Sequence, residues 1–296
     1  MLNGPLFSVN VNRYDKNKGF NVFHPASLDV PRSNSVMFVM GQYVEKSQSL
    51  YNVSECLVFW PKECIVPQEL EKRHVFVLSE DPRKEYNRFF RDNQITNHPK
   101  KREFDYIDGA YICKGAQIGT NTTIMPGVYI DSEVVIGSDT YIGVGTKVMG
   151  RAVIGNHVMI RENAVIGADG LSTDRDEDGL ALTMPQFGGI IIEDNVQIGA
   201  NTVIARAAID NTIIGKGSKI DNCCFISHNV VIGENVFVVG ETIMMGSSKA
   251  ENNAYISGNS TIRNQVSIGE NAFVGMGAVV TRNVEKNVTV KGNPAR

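Results

Sequence analysis

The sequence predicts a mainly β protein, a small α/β domain followed by a long β-solenoid. Two observations carry that expectation. From Ile112 onward a large aliphatic residue recurs every six positions almost to the end of the chain. Before it, three short runs rich in β-branched and aromatic residues alternate with helical patterns. The 296 residues suffice for both parts.

The N-terminal runs are Ser35–Met40 (SVMFVM), Glu55–Trp60 (ECLVFW) and His74–Leu78 (HVFVL), each read as a strand. Tyr43–Tyr51 reads as a helix between the first two. Arg83–Asn93 reads as another, because Tyr86, Phe89 and Phe90 fall at helical spacing behind Pro82. Those aromatics are expected in the core. Residues 1–95 are thus the α/β domain. Residues 96–110, with His98-Pro99 and Lys100-Lys101-Arg102, are expected to be a polar linker.

Residues 111–296 are the solenoid. The first rungs are Ile112, Ile118, Ile124, Ile130, Ile136, Ile142, Val148, Ile154, Ile160 and Ile166. Glycine often follows at once, as at Gly119, Gly137 and Gly143, and is read as permitting a tight corner. Four residues after the rung a small or β-branched residue is common, such as Thr122, Thr140 and Val158. A six-residue period means stacked coils of three short strands, each giving one aliphatic to a continuous column. Residues 168–189 break the register and are expected to loop out. Ile192, Ile198 and Ile204 resume it, a surplus of four residues near 206–211 restores the frame, and Ile214 to Val280 follow in step. Ala250 is the weakest rung.

Composition narrows the function classes. A net charge of −3 leaves no nucleic-acid footprint. No run is apolar enough to span a membrane, and the first residues lack the charged and apolar regions of a signal peptide. Five cysteines without a CxxC pair argue against zinc. Cys223 and Cys224 are read as small buried hydrophobes in a reducing cytoplasm. The acidic run Asp174–Asp178 lacks the spacing of a metal loop. Of the histidines, His24, His74, His98 and His157 are expected at the surface. His228 has a surface repeat position too, two residues past Ile226. Gly246 lies eighteen residues, one full coil, above it.

The six-residue repeat resembles that of the hexapeptide-repeat acyltransferases. Within them the chain is most similar to the UDP-3-O-acylglucosamine N-acyltransferases. The resemblance runs through FVMGQY, GADG at 167–170, MPQFGG at 184–189, ANTVIARAAIDNTIIGKGSKIDN and ISHNVVIGEN. It implies a left-handed parallel β-helix, a homotrimer with active sites between subunits, and a cytoplasmic enzyme of lipid A or surface-polysaccharide synthesis. It further implies His228 as general base and the Gly246 N–H as oxyanion donor. Phe38 and Tyr43 match the aromatic pair around uracil, and Gln186, Asp221 and Asn222 fall in segments lining the sugar site. The acyl donor is acyl carrier protein or an acyl-CoA such as acetyl-CoA, with no permanently bound cofactor.

The chain departs from that pattern at several places. Gln265 stands where the family has a second histidine, and Ala205 where it has an aspartate. The uracil loop is one residue short. The tail GMGAVVTRNV…VKGNPAR resembles CoA-dependent sugar and serine acetyltransferases, so an acetyl-CoA-dependent sugar O-acetyltransferase and an inactive nucleotide-sugar-binding scaffold stay as alternatives. A γ-class carbonic anhydrase is excluded, since the solenoid has only His157 and His228 for three zinc ligands.

Overall fold

The structure, a computed structural model, describes residues 5–96, 101–175 and 178–296. His98, Pro99, Lys100, Asp176 and Glu177, named above in the linker and the acidic run, lie outside the described residues. The chain divides into two compact units, Met1–His98 with Ser172–Phe187, and Pro99–Leu171 with Gly188–Arg296. Among the described residues no helix is long and apolar enough to cross a membrane.

The first unit holds a four-stranded parallel sheet of His24–Pro25, Ser35–Phe38, Leu57–Pro61 and Val75–Ser79, in that order. Its three longer strands occupy the predicted runs. The segment expected as a helix after the second strand is a 3₁₀ helix, Gly41–Asn52, unusually long for that geometry. The α-helix Pro82–Asp92 starts with Pro82 in its first turn, and the Asp81 carboxylate accepts the Lys84 N–H at 3.0 Å. Tyr86, Phe89 and Phe90 are buried as expected.

Two histidines expected at the surface are buried here, His24 and His74. His74 Nδ1 accepts the Cys56 N–H at 3.2 Å, and its Nε2 lies 3.2 Å from the Leu50 carbonyl. Both ring nitrogens therefore serve the backbone, an arrangement that suits a neutral ring. Burial pushes its pKa down to about 4. Sequence position alone hides this, because strand edges and cores share one hydrophobic pattern.

The region expected to loop out is more ordered than its composition suggests. Thr173–Arg175 and Ala181–Thr183 pair as an antiparallel hairpin within the first unit, and Asn87 hydrogen-bonds Asp174.

The second unit is the solenoid. Three sheets of nine, ten and eight strands form its faces, and successive coils pair in parallel, as Tyr129 with Lys147 and Ile130 with Val148. We call the faces first, second and third in chain order, beginning with the strands at Ile112, Ile118 and Ile124. Nearly every rung from Ile130 to Val280 is buried, Ala250 included. Ile118 is 37% exposed because it lies in the first coil, with no coil beneath it.

Two expectations are corrected. Part of the predicted linker is structured: Phe104–Ile107 pairs antiparallel with Ala110–Cys113, joined by Asp108 and Gly109, both with positive φ. Asp-Gly between apolar runs is a hairpin signal that marks this turn. The glycine after a regular rung does not supply the left-handed corner; Gly167, at the broken register, is the exception. Gly119 and Gly137 have no positive φ; they are needed because the next coil is too close, a Cβ on Gly119 lying 2.5 Å from the Gly137 carbonyl carbon. The left-handed residue comes two positions later and is commonly asparagine, as at Asn121, Asn163, Asn195 and Asn229. The buried small residues carry the coil contacts: Thr146 Oγ1 donates to the Arg161 carbonyl at 2.7 Å, and Ser218 Oγ to that of Gly233 at 2.7 Å.

The cysteine expectation also needs amendment. Cys224 is buried, and burial pushes its thiol up to about 11, but Cys223 occupies a left-handed corner and is exposed. The left-handed turn leaves Cys223 outside, while Cys224, four residues after the rung Ile220, packs into the aliphatic column.

Candidate functional site

His228 lies at the corner between the first and second faces, just after the strand Phe225–Ile226. It is partly buried by close backbone approach from two directions. A Cβ on Gly246 would lie 2.7 Å from its Cε1 and 2.7 Å from its Nε2. A Cβ on Gly170 would lie 2.6 Å from its Cβ and 2.8 Å from its Cδ2. Any other residue at either position would have to displace the ring. The spacing of Gly246 anticipates the first contact. Gly170 was not anticipated as a neighbour of His228, because the broken register at 168–189 removes the six-residue ruler there.

The ring's proton is placed by Asn229. His228 Nδ1 is 3.0 Å from Asn229 Oδ1. The same oxygen accepts the Ala208 N–H at 3.1 Å, which identifies it as the amide oxygen and not the amide nitrogen. An oxygen can only accept, so Nδ1 carries a hydrogen, and in the neutral ring the lone pair is then on Nε2. Asn229 is itself fixed, its own N–H donating to Thr212 Oγ1 at 3.0 Å. Left-handed corners select asparagine throughout this solenoid, so nothing in the sequence separates Asn229 from Asn121 or Asn163.

Among the described residues the Gly246 N–H has no hydrogen-bond acceptor. Its carbonyl accepts the Gln265 N–H at 3.1 Å, and Ser247 N–H binds the His228 carbonyl at 2.9 Å. The Gly246 donor is therefore held on both sides by coil-to-coil bonds. Gln265 occupies the left-handed corner position one coil higher and is exposed, beside Asn264 in the column above Gly246. No metal-binding group of three His, Cys, Asp or Glu side chains occurs among the described residues.

Asp221 and Asn222 lie on a different edge, where the third face turns into the first. There they line a groove of about 610 Å³ with Arg161, Glu162, Lys219 and Phe237. Asp221 Oδ2 accepts the Gly240 N–H at 3.1 Å, and Asn222 Oδ1 accepts the Ala200 N–H at 2.6 Å. Asn156 makes the same kind of bond to Ser138 N–H at 2.8 Å, so the repeat alone accounts for the orientation of Asn222. Burial lowers the Lys219 pKa, and its ammonium donates to the Asn195 carbonyl at 2.6 Å.

Phe38, Tyr43 and Gln186 belong to the first unit. The Phe38 ring packs against Tyr86 at 4.9 Å, while Tyr43 is 44% exposed with the Lys46 ammonium 5.6 Å from its ring centre. Gln186 is buried, and its Nε2 donates to the Met184 carbonyl at 2.9 Å and to Ser172 Oγ at 3.2 Å.

Comparison with known proteins agrees with this architecture. Residues 133–168 match the family model of the bacterial transferase hexapeptide (six repeats). Residues 189–228 and 251–293 match that of the hexapeptide repeat of succinyl-transferase. A UDP-3-O-acylglucosamine N-acyltransferase of Francisella tularensis subsp. holarctica is 56% identical over 79 residues, 27% of this chain and 23% of that protein. The protein of the same description from Methylobacterium nodulans is 38% identical over 141 residues, 48% of this chain and 40% of the relative. The aligned stretches thus span less than half of either relative. A solved UDP-N-acetylglucosamine acyltransferase from Bacteroides fragilis superposes with a TM-score of 0.58 at 27% identity, over 64% of this chain and 72% of that one. The enzyme from Campylobacter jejuni superposes with a TM-score of 0.56 at 20% identity, over 64% and 72%. The solenoid is a left-handed parallel β-helix of hexapeptide repeats.

Proposed function

We propose that the protein is an acyltransferase that moves an acyl group from a thioester to the amine of a UDP-linked glucosamine derivative. The observation that carries the proposal is the His228 ring, held between Gly170 and Gly246 with Nδ1 on Asn229 Oδ1 and its Nε2 edge turned toward Gly246. A base and a fixed, unpartnered N–H donor at one point are what acyl transfer to an amine needs. The identity with UDP-3-O-acylglucosamine N-acyltransferases, 56% over 79 residues and 38% over 141, supports the substrate class.

In this mechanism the amine lone pair attacks the thioester carbonyl carbon. The carbonyl π pair moves to oxygen, and the Gly246 N–H donates to the oxyanion as its charge develops. His228 Nε2 takes the proton released by the amine, while Asn229 holds Nδ1–H and steadies the imidazolium. Collapse of the tetrahedral intermediate breaks the carbon–sulfur bond, and His228 returns the proton to the departing thiolate. The products are an amide and a thiol, with no covalent enzyme intermediate; holding the two reactants together replaces it.

Phe38 and Tyr43 are assigned to the uracil ring, and Gln186, Asp221 and Asn222 to the sugar. His228 and Asp221 follow different faces of one solenoid, which favours a homotrimer in which the groove of one copy meets the His228 corner of another. Gln265 is assigned a hydrogen-bonding role toward the acyl donor, which is acyl carrier protein or an acyl-CoA. The product then belongs to lipid A or surface-polysaccharide synthesis.

The test is mass-spectrometric product detection with purified protein and a panel of UDP-amino sugars. One arm contains acetyl-CoA, the other 3-hydroxyacyl carrier protein. An amide product in either arm that disappears in His228→Ala is expected, and the productive arm identifies the donor. UDP-sugar binding without product in both arms would sink the mechanism in favour of a nucleotide-sugar-binding scaffold.

A further inference from the structure

Below His228 the corner between the first and second faces is built differently from the others. The strand Val165–Ala168 pairs with Val203–Ala205 through a register shift between Ile166 and Ala168. Gly167 makes that bulge possible: its φ is +94°, and a Cβ there would lie 2.0 Å from the Met149 carbonyl oxygen. A bulge bends its strand and re-aims the residues beyond it. Here it delivers Asp169 and Gly170 to the corner, where Gly170 lies against His228.

Arg206 ties the delivered segment down. Its N–H donates to the Ala168 carbonyl at 2.9 Å, and its Nε donates to Asp169 Oδ1 at 2.6 Å. Its Nη2 pairs with the same carboxylate oxygen. The guanidinium packs on Gly150, where a Cβ would lie 2.8 Å from Nη1. The Arg206 side chain is 14% exposed and Asp169 51% exposed. A forked, largely desolvated guanidinium holding one carboxylate fixes geometry more firmly than a surface pair does.

We infer that Arg206 is a positioning residue for His228, acting through Asp169 and Gly170. The clamp holds the Gly170 backbone against the Cβ–Cδ2 edge of the imidazole, so that Nε2 stays beside the Gly246 amide. Arg206 does not touch the reacting atoms. This inference rests on the acyl-transfer reading for its kinetic consequence, and on geometry alone for the state of the ring.

The experiment compares the full chain with Arg206→Ala, Arg206→Lys, Asp169→Asn and the Arg206→Ala/Asp169→Asn double variant. The readouts are kcat and KM with the donor and acceptor that the product assay selects, ¹⁵N-histidine spectra of the His228 ring without substrate, and thermal melting. Misplacing a catalytic group by about 1 Å can cost on the order of 100-fold, so Arg206→Ala is expected to lower kcat by about 10- to 100-fold with little change in KM. Its ring spectrum should change from one fixed tautomer to an averaged pattern. Asp169→Asn should do the same, the double variant should be no worse than either single one, and Arg206→Lys should recover part of the loss. An unchanged His228 spectrum in Arg206→Ala overturns the inference, whatever the kinetics. So does a loss of activity that only tracks a loss of folded protein. If the wild-type chain turns over no substrate, the acyl-transfer reading falls, and the ring spectrum still decides the clamp.

Discussion

His157 and His228 both stand at corners of the same solenoid, yet their surroundings differ completely. His157 takes the left-handed position with φ 55°, is exposed, and has the Asp139 carboxylate 3.9 Å from its Nδ1. His228 sits one position earlier in the repeat and is gripped by Gly170, Gly246 and Asn229. The comparison teaches how a repeat scaffold acquires a site. The repeat supplies corners of fixed geometry, and a site appears where glycines let backbone approach one side chain from two sides.

The sharpest way to break the comparison is to remove each ring. His228→Ala is expected to lower kcat by about 10²- to 10⁴-fold, the usual contribution of a general base, while His157→Ala leaves it essentially unchanged. Equal losses, measured by product formation under saturating substrate, would mean that corner stability and not chemistry is being read.

Next in size is Gly246→Ala. The added methyl has to push the imidazole away, and a displacement of about 1 Å is expected to cost on the order of 100-fold in kcat. The fold should persist, because Gly246 has no positive φ. Activity close to wild type, with the variant's melting temperature unchanged, would show that Nε2 does not work beside this amide.

Asn229→Ala should act more weakly, about 10-fold in kcat, as the ring loses the acceptor that selects its tautomer. A left-handed alanine also costs about 1 kcal/mol or more of stability. Asn253→Ala, at another left-handed corner with φ 60°, should show the same stability loss with no loss of kcat. If the two variants lose activity alike, Asn229 is a corner residue and nothing more.

The smallest effect concerns a third histidine, His74, in the N-terminal unit. Burial lowers its pKa from the ordinary histidine value of about 6.5 to about 4 in the folded state. Between those values the unfolded chain binds the extra proton and the folded chain does not, so stability is full above pH 6.5 and declines as pH falls toward 4. Protonation at Nδ1 would remove the acceptor of the Cys56 N–H. Thermal melting between pH 7 and 4.5 should therefore fall more steeply in the wild type than in His74→Gln. Parallel slopes would assign the acid sensitivity elsewhere.

Much of this was legible in the sequence, for identifiable reasons. Six-residue periodicity names the inward residue of every strand, so the rungs from Ile130 to Val280 could be placed one by one. Eighteen residues per coil put Gly246 over His228 before any coordinates. The helix around Tyr86, Phe89 and Phe90 declared itself by its spacing. Asp108-Gly109 was available as a hairpin signal but lay inside a polar stretch read as a linker. His74 could not be placed, since burial of its ring depends on the two backbone groups that happen to face it.

The sequence by itself thus determined the repeat, the coil length and the His228–Gly246 column, because each follows from spacing along a regular chain. Only the tertiary structure decided that Gly170 closes on the other side of that ring, that Asn229 sets its proton, and that Arg206 holds Asp169. The Gly170 and Arg206 contacts join segments separated by an interruption of the repeat, while Asn229 adjoins His228 but looks like every other corner asparagine. Where the period is broken, distance along the chain no longer measures distance in space.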